Sequence, residues 1–183
     1  MQKYVAFLRG INVGGNKKVP MADLKTVLEK NGLKNVKTLL ASGNVVFEAD
    51  SNKIDELQTS ISSAIEKAFK FPVPVLLRSF SELQRLVALD PFKKITVTPQ
   101  TRLYVTFLTE KVKDKTSSNF YPPDKSFTIL SKTKSEVFSV LDLSITGTPE
   151  AMGALEKEFG KEVTTRNWNT ILKIAKLKSK NSA

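Results

Sequence analysis

The first half of the chain alternates between two hydrophobic periods, and the changes of period predict an order of helices and strands. Some segments are β-prone and apolar on one or both faces, whereas others repeat apolar residues every three or four positions. The predicted elements are a strand over 4–9, a helix over 19–32, a β-hairpin over 36–49, a helix over 51–70 and a strand over 73–79. This β-α-β-β-α-β order predicts a ferredoxin-like subdomain with a mainly antiparallel sheet.

Short polar signals mark helix starts in this half. Ser51 or Asn52 is the candidate N-cap of the second helix, because either side chain accepts hydrogen bonds from the N–H groups of a first turn. Ser79 or Ser81 is the candidate N-cap of a further short helix that ends near Leu89.

The second half repeats the pattern less clearly. A polar stretch around Pro122-Pro123 fits a loop or one short helix. The other predicted elements are a strand over 101–108, a hairpin over 126–142, a helix over 150–159 ended by Gly160, a brief strand over 162–167 and a closing helix from Trp168. No sequence repeat is strong enough to establish duplication. The predicted fold class is therefore α+β with two subdomains, the second a degenerate version of the first.

These patterns also predict the division of the chain. We assign residues 1–90 to the ferredoxin-like subdomain, 91–100 to a connection, 101–178 to the second α+β subdomain and 179–183 to a disordered tail. Short polar termini are commonly poorly ordered.

Composition excludes several kinds of chemistry. The 183 residues include no cysteine and no histidine, so disulfides, thiol nucleophiles, Ser-His-Asp triads and sites built on His or Cys metal ligands are excluded. We expect no metal and no cofactor. No apolar run approaches the roughly 20 residues that span a bilayer, and the N-terminus lacks a secretory h-region. We therefore expect a cytoplasmic protein without a membrane partner.

The net charge of +11 raises the question of a nucleic-acid partner. The excess is spread evenly, since residues 1–80 carry 12 basic and 7 acidic side chains and residues 81–183 carry 17 and 11. Lysine supplies 24 of the 29 basic residues, whereas bidentate recognition of phosphate and guanine favours arginine. A lysine-rich solvated surface is the simpler of two explanations for this charge, and a nucleic-acid partner is the other, so nucleic acid is a possible partner that the sequence does not favour.

Topology predicts where the polar loops meet. In a β-α-β-β-α-β unit a right-handed crossover makes the first two strands parallel, and the third strand returns beside the first. The exit of the first strand, "RGINVGGN", and the hairpin turn, "ASGN", should therefore lie at one end of the sheet with the N-terminus of the first helix. Such groupings bind anions, phosphate most readily. The candidate ligand-binding residues at this end are Arg9, Asn12, Gly14, Gly15, Lys17, Ser42 and Asn44.

A third polar segment, "TTRNWNT", precedes and opens the closing helix. Asn167 or Thr165 could cap that helix. We expect Arg166 and Asn169 to face the same basic cleft as Arg9. The candidate ligand-binding residues that this segment adds are Arg166, Asn167 and Asn169.

Two simpler interpretations of the glycine-rich loop remain open. Gly14-Gly15 could serve loop geometry alone, and Arg9 could pair with a carboxylate. The loop partly matches the pattern of a nucleotide-binding P-loop but departs from it at two places. Asn16 intervenes before Lys17, and Lys18 stands where Ser or Thr would hold magnesium.

The segments "RGINVGG", "SGNVVF" and "RNWNT", together with "DPF" at 90–92 and "VTFL" at 105–108, resemble a bacterial family catalogued as domain of unknown function 1697. The resemblance implies a two-subdomain α+β fold related to the ferredoxin-like arrangement, and it implies no activity. The family's signature positions fall on Arg9, Gly10, Asn12, Gly14, Gly15, Ser42, Gly43, Asn44, Arg166, Asn167 and Trp168.

The leading functional hypothesis is a cytoplasmic protein that binds a phosphate-bearing small molecule or nucleotide in a basic, Asn-rich cleft. The first alternative is an RNA-binding module, since RNA-recognition domains share the β-α-β-β-α-β order. Those domains stack bases on exposed aromatic residues, for which the central strands here offer only Phe47 with Tyr4 or Phe7.

An enzyme of unknown reaction is the second alternative. Asp23, Asp90 and Asp142 are isolated candidate acids without the spacing of a catalytic carboxylate pair. The sequence assigns neither a reaction nor an oligomeric state.

Overall fold

The computed structural model describes residues 1–109 and 127–177. Over these ranges the chain forms eight strands and five helices, which confirms the predicted α+β class. The predicted loop or helix around Pro122-Pro123 and the predicted tail at 179–183 lie outside the described residues. None of the described helices has the length and hydropathy needed to cross a membrane.

The chain divides into two compact units. Met1–Arg85 and the segment that begins at Ile174 form the first unit, and Leu86–Lys173 form the second. Each unit is built on its own sheet of four strands. The predicted architecture of two subdomains with antiparallel sheets is therefore confirmed.

The first unit follows the predicted β-α-β-β-α-β order. Its elements are β1 (Gln2–Leu8), α1 (Met21–Lys30), β2 (Lys34–Leu39), β3 (Asn44–Ala49), α2 (Ile54–Phe69) and β4 (Val75–Ser79), after which comes α3 (Phe80–Leu89). The strands lie in the order β2-β3-β1-β4, and every neighbouring pair is antiparallel. β1 is therefore an interior strand.

β1 can occupy the interior because it is apolar on both faces. Successive side chains of a strand point to opposite faces of the sheet. Tyr4, Ala6 and Leu8 join a buried cluster with α1 and α2, whereas Val5 and Phe7 point the other way and are equally buried. The helices contribute to that cluster the residues Leu24, Leu28, Leu57, Ile61 and Ile65.

The predicted N-cap of α2 is wrong. The N-cap is Lys53, and no side chain caps the helix. The Ser51 hydroxyl accepts the backbone N–H of Lys53 at 3.2 Å, one step before the helix. Asp55 and Glu56 lie in the first turn, where carboxylates interact favourably with the helix dipole.

The predicted cap of α3 is confirmed at Ser79. Ser79 Oγ accepts the backbone N–H of Glu82 at 3.2 Å, and Glu82 Oε2 accepts the Ser79 backbone N–H at 2.8 Å. This reciprocal pair is a capping box. Burial raises the pKa of the Glu82 carboxyl, but the hydrogen bonds from Ser79 and the charges of Arg78 and Arg85 outweigh it, so the pKa is lowered.

We expect Ser79→Ala to lower the free energy of unfolding by about 1 kcal/mol at neutral pH, because it removes this cap. The folded-state pKa of Glu82 lies below its unfolded value of about 4.3. The carboxylate's contribution is therefore complete above that value and is lost as pH falls through the folded-state pKa. Urea denaturation should give a smaller difference between wild type and variant at pH 3 than at pH 7. An equal difference at both pH values would contradict the capping box.

The second unit has the same sheet topology. The described elements after α3 are β5 (Thr101–Phe107), β6 (Phe127–Lys132), β7 (Glu136–Asp142), α4 (Thr148–Phe159), β8 (Thr164–Asn167) and α5 (Trp168–Ala175). The strand order β6-β7-β5-β8 matches β2-β3-β1-β4 position by position, again with antiparallel neighbours. Gly160 is the C-cap of α4, as predicted.

Sequence and hydrogen bonding support the equivalence of the two sheets. β1 contains "YVAFL", and β5 together with the residue after it contains "YVTFL". At the end of β1 the backbone N–H of Leu8 donates to Gly43 O at 2.7 Å. At the end of β5 the backbone N–H of Leu108 donates to Ser135 O at 2.8 Å. The matching topology therefore reveals a repeat that the sequence pattern left unproven.

Candidate functional site

The loop after β1 and the turn between β2 and β3 lie side by side. Asn12 Nδ2 donates to Ala41 O at 2.9 Å, in addition to the backbone hydrogen bond between the end of β1 and the turn. These are the segments that topology predicts at one end of the sheet. We call residues 9–20 together with residues 40–43 the loop rim.

Within the loop rim, residues 12–17 form a small β-hairpin, the glycine hairpin. The backbone N–H of Asn12 donates to Lys17 O at 3.1 Å, and that of Asn16 donates to Val13 O at 3.2 Å. The two central glycines have φ of +60° and +77°, the left-handed values that a type I′ turn requires. A Cβ on either glycine would meet no atom within 4 Å. Backbone conformation, not packing, therefore explains these glycines.

The side chain of Asn12 fixes the glycine hairpin to the rest of the rim. Its Oδ1 accepts the backbone N–H of Val19 at 2.8 Å, and its Nδ2 donates to Val19 O at 3.0 Å and to Ala41 O. Asn12 itself has φ +55°, a conformation that Asn tolerates better than most residues. The amide of Asn12 thus holds two loops together, and a contact with ligand remains a prediction.

Gly43 is required by packing as well as by conformation. Its φ is +78°, and a Cβ placed there would lie 2.7 Å from Leu8 Cβ and 2.9 Å from Ile11 Cδ1. Ile11 is buried. The backbone of the turn therefore rests directly on apolar side chains, which gives the loop rim a packed apolar base.

Ser42 and Asn44 are joined to each other. Asn44 is fully buried, and its Nδ2 donates to Leu39 O and to Ser42 Oγ, both at 3.0 Å. Ser42 is exposed at the surface of the turn. Asn44 therefore orders the β2–β3 turn from below, and Ser42 lies where a ligand could reach it.

Three cationic residues belong to the loop rim. Lys17 Nζ donates to Pro72 O at 3.3 Å and lies 5.9 Å from the Phe71 ring centroid, within cation–π range. Lys18 is exposed and Arg9 is half-buried. The rim therefore carries two exposed ammonium groups and one partly shielded guanidinium group.

The N-terminus of α1 adds positive potential to the rim. α1 begins directly after Pro20, its N-cap, which provides no side-chain hydrogen bond. N–H groups of an uncapped first turn carry partial positive charge. Asp23 in that turn offsets part of it. The balance at the loop rim is positive.

Arg166 lies in β8 of the second unit. Its Nη1 donates to Thr165 O at 2.9 Å, and burial lowers the pKa of its guanidinium group to about 10. The group remains cationic at neutral pH. Arg166 and Arg9 belong to different units, so the predicted common cleft remains a prediction.

The other residues of this segment serve the β8–α5 junction. Asn167 Oδ1 accepts the backbone N–H of Asn169 at 2.9 Å, which confirms Asn167 as a cap of the closing helix. Trp168 is buried, with its ring centroid 5.2 Å from that of Phe92. Thr165 Oγ1 bonds to Thr106 Oγ1 at 2.9 Å and so supports the sheet. Asn169 is exposed.

Arg78 is not among the sequence-predicted residues, although it is the counterpart of Arg166. Arg78 pairs with Val5 in β1, and Arg166 pairs with Val105 in β5. In both residues Nη1 donates to the carbonyl oxygen of the preceding residue at 2.9 Å. The repeated strings "RSF" and "RNW" at the strand–helix junctions are the signal that would have revealed Arg78.

Among residues 1–109 and 127–177, no group of three or more acidic side chains is arranged to hold a metal ion. The binding groups that the loop rim offers are ammonium, guanidinium, hydroxyl and backbone N–H groups. This donor set complements an anion.

Comparison with curated proteins found no match. Among solved structures, the chain is similar to "conserved bacterial protein SP0830 from Streptococcus pneumoniae", with a TM-score of 0.69 and 23% sequence identity. The similarity covers 95% of this chain and 97% of the other, and it supports the fold alone. The family model described as "Protein of unknown function (DUF1697)" matches residues 1–138, a range that contains the whole loop rim and stops before Arg166. The chain therefore belongs to the DUF1697 family of proteins of unknown function.

Proposed function

We propose that this protein binds a phosphate-bearing small molecule at the loop rim of its first unit. The observation that carries the proposal is the pair of hydrogen bonds, Leu8 N–H to Gly43 O and Asn12 Nδ2 to Ala41 O, that joins the two loops beside the uncapped start of α1. These bonds hold the loop that carries Lys17 and Lys18 against the turn that carries Ser42. Cationic surfaces favour phosphate, which accepts several hydrogen bonds and carries charge.

Two kinds of residue have different roles in this proposal. Lys17 and Lys18 supply charge and donors to the ligand, with Arg9 contributing positive potential from its half-buried position. Asn12 and Asn44 hold the loops in place through the hydrogen bonds described above. A fixed rim loses little conformational freedom when the ligand binds, which favours affinity.

The test is calorimetric titration of pyrophosphate, at low ionic strength because exposed charges are screened by salt. We expect binding by the wild type and at least a tenfold loss of affinity in the double variant Lys17→Ala/Lys18→Ala, since charge-assisted hydrogen bonds contribute about 1.5–3 kcal/mol each. The matched control is Lys93→Ala/Lys94→Ala, an exposed lysine pair in the second unit. It should bind as the wild type does.

Failure of wild type to bind pyrophosphate would refute the proposal. An equal loss in the two double variants would show that only overall charge matters and would also refute a site at the loop rim.

The sequence further predicts that Arg166, Asn167 and Asn169 contribute to the same ligand site, and we retain this as part of the proposal. Arg166→Gln tests it, because the substitution removes the charge and keeps polar character. A loss of pyrophosphate affinity with an unchanged unfolding midpoint would support the larger site. Wild-type affinity would confine the site to the loop rim.

Base stacking of the RNA-recognition type finds little support. Tyr4, Phe7 and Phe47 are all buried, so no base can stack on them in this arrangement. The two central strands, β1 and β3, therefore place these aromatic side chains in the core. Single-stranded RNA is retained as a competing ligand in the experiments below.

A further inference from the structure

Two large apolar side chains are exposed at the loop rim. Val13, in the glycine hairpin, is 70% exposed, and Leu40, in the β2–β3 turn, is 48% exposed. Their neighbours Asn12 and Ala41 are joined by the 2.9 Å hydrogen bond that links the two loops. The two apolar residues therefore lie on the two joined loops of the rim, and Val13 shares its loop with Lys17 and Lys18.

Leu40 is an unusual choice for its position. Its φ is +59°, in the left-handed region that Gly, Asn and Asp adopt far more readily than leucine. Its exposure leaves little burial to offset that strain. Strained residues are concentrated at functional sites, where another requirement maintains them. Contact with a ligand is such a requirement.

The combination of charge and apolar surface selects among phosphate ligands. Inorganic phosphate and pyrophosphate engage cations but offer nothing apolar to Val13 and Leu40, and sugar phosphates offer only the small C–H faces of the sugar. A nucleotide has both parts, because its phosphates are anionic and its base has apolar faces. Ligand sites typically pair apolar walls with a few placed polar groups.

We infer that the ligand is a nucleotide whose phosphates bind at Lys17 and Lys18 and whose base lies against Val13 and Leu40. This inference rests on the proposed function, since it assigns the class of ligand to the same loop rim. It adds two residues, Val13 and Leu40, that recognise the base and leave phosphate binding unaffected.

The experiment compares ADP, pyrophosphate and ribose 5-phosphate with the full chain by calorimetry in the presence of EDTA. ADP should bind at least tenfold more tightly than pyrophosphate. Val13→Ser and Leu40→Asn should each lower the affinity for ADP several-fold and leave the affinity for pyrophosphate unchanged. Val97→Ser, at a 63% exposed position in the second unit, is the control and should change neither affinity.

The outcomes separate the two proposals. Equal affinities for ADP and pyrophosphate, or a rim variant that weakens both alike, would overturn the nucleotide inference and leave anion binding in place. Binding of neither would overturn both. Binding of single-stranded RNA or of vesicles containing anionic lipid, without ADP binding, would also overturn the nucleotide inference, because the exposed residues would then serve a macromolecule or a membrane surface. Leu40→Asn should fold at least as well as wild type, since asparagine tolerates positive φ.

Discussion

Gly43→Ala should lower the free energy of unfolding by about 2–5 kcal/mol, the largest effect that we expect from a single methyl group in this protein. Left-handed backbone costs an alanine about 1–2 kcal/mol. Overpacking adds about 1–3 kcal/mol, because the new Cβ would lie 2.7 Å from Leu8 Cβ and 2.9 Å from Ile11 Cδ1. Neither neighbour can yield easily, since both are buried.

The measurement is urea denaturation followed by circular dichroism, because the single tryptophan, Trp168, belongs to the second unit and its fluorescence does not report directly on the first. Gly14→Ala is the matched control: its φ is +60°, but a Cβ there meets no atom within 4 Å. It should cost only the backbone strain. Equal losses in the two variants would show that the contact of Gly43 with Leu8 has no energetic role.

Asn12→Asp should lower the free energy of unfolding by about 2–3 kcal/mol, although it replaces a single NH2 group by oxygen. The amide donates to Val19 O and Ala41 O, and a carboxylate would set negative charge against both carbonyl oxygens. The carboxylate would keep only the hydrogen bond that the Asn12 side chain accepts from the Val19 N–H. The hydrogen bond from Asn12 to Ala41 O, which links the two loops, would therefore be lost.

Asn16→Asp is the control for charge, because Asn16 is exposed at the tip of the same hairpin. It should change the free energy of unfolding by less than about 0.5 kcal/mol. Pyrophosphate affinity provides a second measurement. If Asn12 positions the loop rim, Asn12→Asp should weaken binding more than Asn16→Asp does, although both add the same charge. Equal stability of the two variants would contradict the linking role of Asn12.

The losses of stability that we expect from substitutions at Gly43 and Asn12 indicate that contacts of these two residues hold the loop rim in place. Asn12 joins the two loops that carry Lys17, Lys18, Val13 and Leu40, and Gly43 packs against buried residues beside them. Their contacts leave the glycine hairpin a fixed base and an exposed tip. A ligand that binds the tip would therefore meet groups that are already placed.

Much of the fold follows from local sequence. The apolar faces of β1 predict an interior strand, and Ser79 or Ser81 predicts the start of a helix. These signals are local because hydrophobic period and capping chemistry act over a few residues. The cap of α2 shows the limit: Ser51 and Asn52 are suitable cap residues, but the N-cap is Lys53, which follows both of them.

The equivalence of the two units shows a second limit. "YVAFL" and "YVTFL" are short, and sequence alone gives no reason to align the strands that surround them. Shared strand order and shared register supply that reason, and they make Arg78 the counterpart of Arg166. A repeat in topology is clearer than a repeat in sequence, because many residues satisfy the same position in a sheet.

By itself the sequence determined the element order of the first unit, the meeting of the β1 exit with the β2–β3 turn, and the absence of cysteine and histidine chemistry. Only the tertiary structure decided what the polar residues there do: Asn12 bonds Ala41, 29 residues away, and Gly43 packs on Leu8. The physical reason is the distance along the sequence over which each signal acts. Hydrophobic period and chain direction are properties of neighbouring residues, whereas the partner of an amide or the space beside a glycine depends on atoms that only folding brings together.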